Sequence, residues 1–255
     1  MNFIDLIISP GIVGLAFVVV FIFLMIILAV ASRNQPKQNL REISAFTRLG
    51  RAIGLAVEAG KRMHITLGWG GLIDLKGASA LVGLTILERI TRLASISDRP
   101  PVATSGDGVL GILSQDTLSG TYKAVGAGFQ YDPTSGRVTG LTPVSYAAGA
   151  MPVIYDEQVS ATILAGHFGS EAALITDAAE RNDSLSVAGS DSIPATSVFI
   201  AAAQEPVIGE ELFAAGAYIN AGPVHASSLR TQDIFRWVLV GAILIGALLK
   251  LLGFL

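Results

Sequence analysis

Two stretches of the chain have no polar rhythm at all. The first, residues 11–31, reads GIVGLAFVVVFIFLMIILAVA and holds no charge. A helix rises about 1.5 Å per residue, so about 20 residues cross the roughly 30 Å hydrocarbon core of a bilayer. The pattern predicts a transmembrane helix. A cleaved signal peptide is the rival reading, because AVA at positions 29–31 resembles a cleavage site. Against it, the leader MNFID has no lysine or arginine, and the apolar run outlasts an ordinary signal core. The second stretch, residues 237–255, reads WVLVGAILIGALLKLLGFL. Its one charge, Lys250, lies near the far end, where a long side chain can snorkel. Trp237 stands where an interfacial aromatic belongs. An amphipathic surface helix would need a charged face, and one lysine does not make one.

Between these stretches the period changes. Residues 32–39, SRNQPKQN, are polar, hold Pro36 and read as a linker. Residues 40–60 place Ile43, Phe46, Leu49, Ile53 and Val57 at helical spacing. A unit then recurs: a short apolar run rich in β-branched residues meets a Gly/Ser/Asp turn, and a helical segment follows. The runs are MHITLGWGG (63–71), before a helix around 75–95, and PVATSGDG (101–108), before one around 109–124. VTGLTP (138–143) leads into VSYAAGAM. ATILAGHFGSEAALI (161–175), SLSVAGSDS (184–192) and SVFIAAAQEP (197–206) complete the set. Strands alternating with helices predict an α/β fold: a Rossmann-like, doubly wound, mostly parallel sheet flanked by N- and C-terminal transmembrane helices. Strand order is not encoded in this pattern. Pro152 is expected to kink or end the helix it falls in.

The domain plan is then a short extracytoplasmic N-terminus (1–10), a first span (11–31), the linker (32–39) and an α/β domain (40–230). A juxtamembrane segment (231–236) and a second span (237–255) follow. Composition agrees: hydrophobic residues make up 51% and charged residues only 15%, against roughly 25% in ordinary soluble domains. Basic residues decide the orientation. Arg33, Lys37, Arg41, Arg48 and Arg51 follow the first span, and Arg230 and Arg236 precede the second. Only Asp5 lies before the first. The positive-inside rule puts the domain in the cytoplasm and both termini outside the inner (cell) membrane. A net charge of −3 offers no attraction to nucleic acid. The absence of cysteine removes thiolate metal sites and cysteine nucleophiles.

In a doubly wound sheet, ligands lie outside the carboxyl ends of the strands, where helix N-termini point. The candidate ligand-binding positions are therefore Gly68, Gly70 and Gly71, then Ser105 and Asp107, then Gly166, His167, Gly169 and Ser170. Specific motifs are missing. GWGGLI has Ile73 where a dinucleotide fingerprint needs its third glycine, GHFGSE has two glycines, and no Walker A loop or G-x-S-x-G elbow occurs. His64, His167 and His225 make no zinc-ligand spacing. No cofactor and no metal are indicated. Asp107 and Asp191 read as helix caps, and Glu171 as a first-turn carboxylate. Gly169 is expected to need positive φ or close backbone approach. Asp107, His167 and Glu171 are the acid–base candidates if the protein is an enzyme.

Taken together, GRAIGLAVEAGKRMHITLG (50–68), SYAAGAM (145–151), LAGHFGSEAALI (164–175) and IGEELFAAGAYI with SLRTQDIFRW (within 208–237) resemble the DUF6754 family. The resemblance implies a membrane-anchored bacterial protein, of a family seen mainly in Chloroflexota, and supplies no catalytic residues. The expected function is a membrane-tethered scaffold or interaction subunit. Its partners would be the bilayer and a homo-oligomer or larger membrane complex; Ala242 and Gly246 form a small-xxx-small pair suited to close helix approach. The alternative is a sensor that binds a nucleotide or other anionic metabolite at the strand ends.

Overall fold

The computed structural model describes residues 10–32, 40–72, 77–95 and 97–253. The expected N-terminal segment and linker lie outside these residues except for Pro10 and Ser32, as does Leu75, near the expected helix start. Two compact units are present, one of which is the α/β unit Arg41–Ala221.

The other unit holds helix α1 (Pro10–Ser32) and the final helix, described below. In the α/β unit, α2 (Ser44–Glu58) precedes β1 (Arg62–Gly68), α3 (Gly77–Ala94) and β2 (Val102–Ser105). Then come α4 (Gly108–Ala124), β3 (Gly136–Val138), α5 (Pro143–Asp156) and β4 (Val159–His167). The unit closes with α6 (Ala172–Arg181), β5 (Leu185–Ser190), α7 (Ile193–Ala202), β6 (Glu205–Val207) and α8 (Glu211–Tyr218).

All six strands form one parallel sheet in the order β3-β2-β1-β4-β5-β6. Alternation along β1 divides the core. Met63, Ile65 and Leu67 enter a cluster with Phe46, Leu49 and Ile53 of α2, Leu87 and Ile90 of α3, and Leu110 of α4. The opposite face is covered by Tyr146, Ala150 and Ile154 of α5, Ile175 of α6 and Phe199 of α7. Helices on both faces bury the strands almost completely, which is why they read as apolar runs.

Three local expectations change. Residues 197–206 were expected to open as a strand, but α7 runs through most of them and β6 is only three residues long. Pro194 sits in the first turn, where its missing N–H costs nothing, and the run of alanines favours helix. Ala195 and Phe199, four apart, point inward while Ile193 and Ile200 are exposed, a helical pattern hidden in an apolar run. The third strand ends at Val138 rather than beginning there, and Thr142 caps α5 in a reciprocal bond pair with Ser145. Pro152 does not stop α5, which continues to Asp156.

In the helical unit, α9 (Pro223–Leu251) is one continuous helix that begins well before Trp237. The ring of Phe235 lies 4.7 Å from that of Phe17 and 5.7 Å from that of Phe21. Residues 11–31 and α9 are each long and apolar enough to cross a membrane.

Candidate functional site at the strand order reversal

The strand order reverses between β1 and β4. Ligands of doubly wound sheets bind outside the carboxyl ends at such a point. Gly68 ends β1, with Gly70 and Gly71 beyond it, and Gly166 and His167 end β4, with Gly169 and Ser170 beyond it, so the two outer candidate groups meet here.

The glycines at the junction have a steric reason. Thr66 pairs with Leu164, but Gly68 pairs with His167, so β4 fits one extra residue against β1. A Cβ on Gly166 would lie 1.9 Å from the Leu67 carbonyl oxygen, and one on Gly68, at φ +77°, would lie 2.2 Å from that of His167. Both close contacts are within the sheet, not toward a ligand. Gly169 is not in the positive-φ region, contrary to expectation; a Cβ there would meet only the Glu171 carboxylate, at 2.5 Å.

Beyond the glycines the crevice is filled by the protein's own side chains. Trp69, the first residue past β1, donates its indole N–H to Glu171 Oε1 (2.8 Å) and meets the His167 ring edge-on at 5.4 Å. The same Glu171 oxygen accepts the Gly169 amide (2.7 Å). His167 Nδ1 lies 2.8 Å from Asp191 Oδ1. Asp191 is therefore not the cap of α7 that its position suggested; Ser192 holds that place. Ser190 Oγ accepts the amides of Phe168 (3.3 Å) and Ser192 (3.2 Å). Tyr146, fully buried on α5, accepts the Gly68 amide (3.1 Å) and is hydrogen bonded to Thr66. Burial pushes its phenol well above the ordinary range, so it stays protonated.

Ser105 and Asp107 stand at the neighbouring end of β2. Asp107 Oδ1 accepts the amides of Val109 and Leu110, both at 3.0 Å, as the expected cap of α4. Ser105 is buried and donates to the Asp107 and Arg137 carbonyls. The Gly106 amide goes to the Gly68 carbonyl (2.8 Å). At these turns the amides of Gly68, Trp69, Gly106, Val109, Leu110, Phe168, Gly169 and Ser192 are thus bonded within the chain. The three carboxylates there, Asp107, Glu171 and Asp191, have no lysine or arginine paired with them among the described residues. The acid–base candidates are each engaged separately: Asp107 as a cap, Glu171 with Trp69, His167 with Asp191. No group of three or more His, Asp or Glu suited to a metal occurs among the described residues.

Ser170 is exposed and Gly70 buried. A cavity of about 350 Å³ opens beside Asp191, between the ends of β5 and β6, lined also by Thr196, Ile193, Ile208 and Phe213. His64 is not at the site. It is fully buried mid-strand in β1, its Nε2 2.8 Å from Thr104 Oγ1, and burial pulls its pKa down to about 3. Sequence reading missed Trp69 and Tyr146. The only trace of Trp69 was a large aromatic wedged between two glycines at a strand end.

The family model of a domain of unknown function, DUF6754, matches residues 9–255. No curated protein and no solved structure matches the chain.

Proposed function

We propose that this chain, which belongs to the DUF6754 family, is a membrane-tethered α/β module that works by binding protein. It would act as a scaffold or interaction subunit of a membrane assembly. The observation that carries this reading is an apolar surface around the carboxyl end of the edge strand β3. Ile112 on α4 is 68% exposed, Leu141 75% and Val144 65%, with Val109 and Val138 beside them. The methyl group of Val138 lies against Gly111 of α4, which joins the two parts of the surface. Clustered exposed apolar residues mark protein contacts in soluble domains. The crevice adds support from the other side: its indole and several of its amides, those of Gly68, Trp69, Phe168 and Gly169 among them, are already committed within the chain.

In this reading the two apolar helices anchor the module in the cell membrane, the domain faces the cytoplasm and both termini lie outside. The partner is a second copy or a larger complex. Blue-native electrophoresis and crosslinking in native membranes test it. A strictly monomeric protein with no crosslinked partner would sink it.

A second reading, a ligand-binding sensor, rests on the cavity beside Asp191. That carboxylate and the apolar lining suit a neutral or cationic ligand better than a nucleotide or other anionic metabolite. A thermal-shift screen separates the classes, since ligand at a hundredfold excess over Kd stabilises by about 2.7 kcal/mol.

A further inference from the structure

A broad concavity lies at the amino ends of the strands, away from the crevice. It has a volume of about 580 Å³ and is bordered by α2. Lys61 immediately precedes β1, Ser160 is the second residue of β4 and Gln204 immediately precedes β6. Its floor is apolar: Ala52, Ala56 and Leu185. Leu55, 65% exposed, stands on its rim.

The charges around this floor are unbalanced. Arg48 pairs with buried Glu205 (2.8 Å), whose other oxygen accepts from Ser44 (2.7 Å). Arg51 and Lys61 have no ion-pair partner among the described residues. Asp183 is the one acid on the rim. The helix explains the arrangement. Its inward stripe is Ala45, Phe46, Leu49, Ile53 and Ala56, which leaves Arg48, Arg51 and Leu55 together on the outward side at helical spacing. Two free cations above an apolar floor match a molecule with an anionic head and an apolar body. A soluble polyanion gains nothing from that floor.

We propose that this concavity binds an anionic phospholipid, its phosphate between Arg51 and Lys61 and the start of its acyl chains over Leu55 and the alanine floor. Gln204 and Ser160 supply hydrogen bonds to the headgroup. The site is distinct from the crevice and independent of the module's protein partner.

The test uses the full chain in zwitterionic detergent, titrated with dihexanoyl phosphatidylglycerol, dihexanoyl phosphatidylcholine or inorganic phosphate, with melting temperature as readout. Phosphatidylglycerol should raise the melting temperature saturably, and the other two should not. The double variant Arg51→Ala/Lys61→Ala changes only exposed, unpaired side chains. It should melt like the parent without lipid, yet need about thirtyfold more phosphatidylglycerol, because each basic residue near an anionic lipid contributes about 1 kcal/mol. Leu55→Asn should weaken the same response while leaving all charges in place. Equal shifts with phosphatidylcholine would overturn the charge assignment. An equal shift with inorganic phosphate would mean a free-anion site and overturn the lipid. An unchanged response in the double variant would place the lipid elsewhere on the protein.

Discussion

The indole nitrogen of Trp69 donates to the carboxylate of Glu171 across 2.8 Å, joining the loop after β1 to the start of α6. The same carboxylate holds the Gly169 amide. Trp69→Phe keeps most of the ring and removes the donor. A bond to a charged acceptor contributes about 1.5–3 kcal/mol, so this variant should melt several degrees lower. Glu171→Ala removes both bonds and should cost more. Melting curves of the two variants check the order; equal losses would mean that the Gly169 bond contributes nothing.

The glycines on either side of His167 should differ sharply. Gly166→Ala drives a methyl group into a backbone carbonyl that the sheet cannot move. It should fail to fold or lose more than about 4 kcal/mol, the rare end of single substitutions. Gly169→Ala meets a movable carboxylate and should be milder. His167→Ala gives up one bond to Asp191, about 1 kcal/mol. Expression level and melting temperature report all three.

His64 should make stability depend on pH. Its folded pKa is about 3, against an ordinary 6.5. Between these values the unfolded chain holds a proton there that the folded chain refuses, so stability falls as pH drops from about 6.5 toward 3. The slope from this residue is about 1.4 kcal/mol per pH unit at full effect. His64→Gln keeps a partner for Thr104 and cannot titrate, so its melting temperature should fall less steeply with acid. Parallel curves would show that His64 is protonated in the folded state.

Charge on the apolar surface should separate folding from association. Leu141→Glu and Val144→Glu are exposed changes, within about 0.5 kcal/mol in stability. Together they should leave the melting temperature near that of the parent and abolish the crosslinked species. A crosslinking pattern unchanged by both would move the interface elsewhere.

Sidedness has a direct assay. With both termini outside, protease added to intact cells trims only the ends and leaves the α/β unit whole. Cleavage within the domain from outside, with a C-terminal tag protected, would reverse the orientation.

Sequence made the strands legible where β-branched residues met glycine turns, as in MHITLG and ATILAGH, because burial on both faces selects that composition. It misled at SVFIAAA, where an apolar run hides helical burial: Phe199 points inward with Ala195, four residues earlier, while Ile193 and Ile200 are exposed. The candidate turns were placed by topology alone, and the structure sets all three side by side: the turn after β1 touches both the one after β4 and the one after β2. What fills them was out of reach. Trp69 and Glu171 are 102 residues apart, and no local pattern announces a hydrogen bond across that separation. Gly166 and Gly169 look alike in GHFG, yet one packs on a carbonyl and the other on a side chain. Only the strand partner, absent from the local sequence, tells them apart.

The pairing of β1 with β4 also sets an order of events during synthesis. Arg62 meets Val159, so the middle of the sheet joins segments roughly a hundred residues apart. As the ribosome releases the chain, β1, β2 and β3 can pair while β1 still presents an open, apolar edge. That edge waits until α5 and β4 have emerged, and such long-range closure is slow by its nature. A half-made chain is thus most open to wrong partners at the place that becomes its most deeply buried seam. Stalling translation between β3 and β4 should make it more prone to aggregate than stalling after β5.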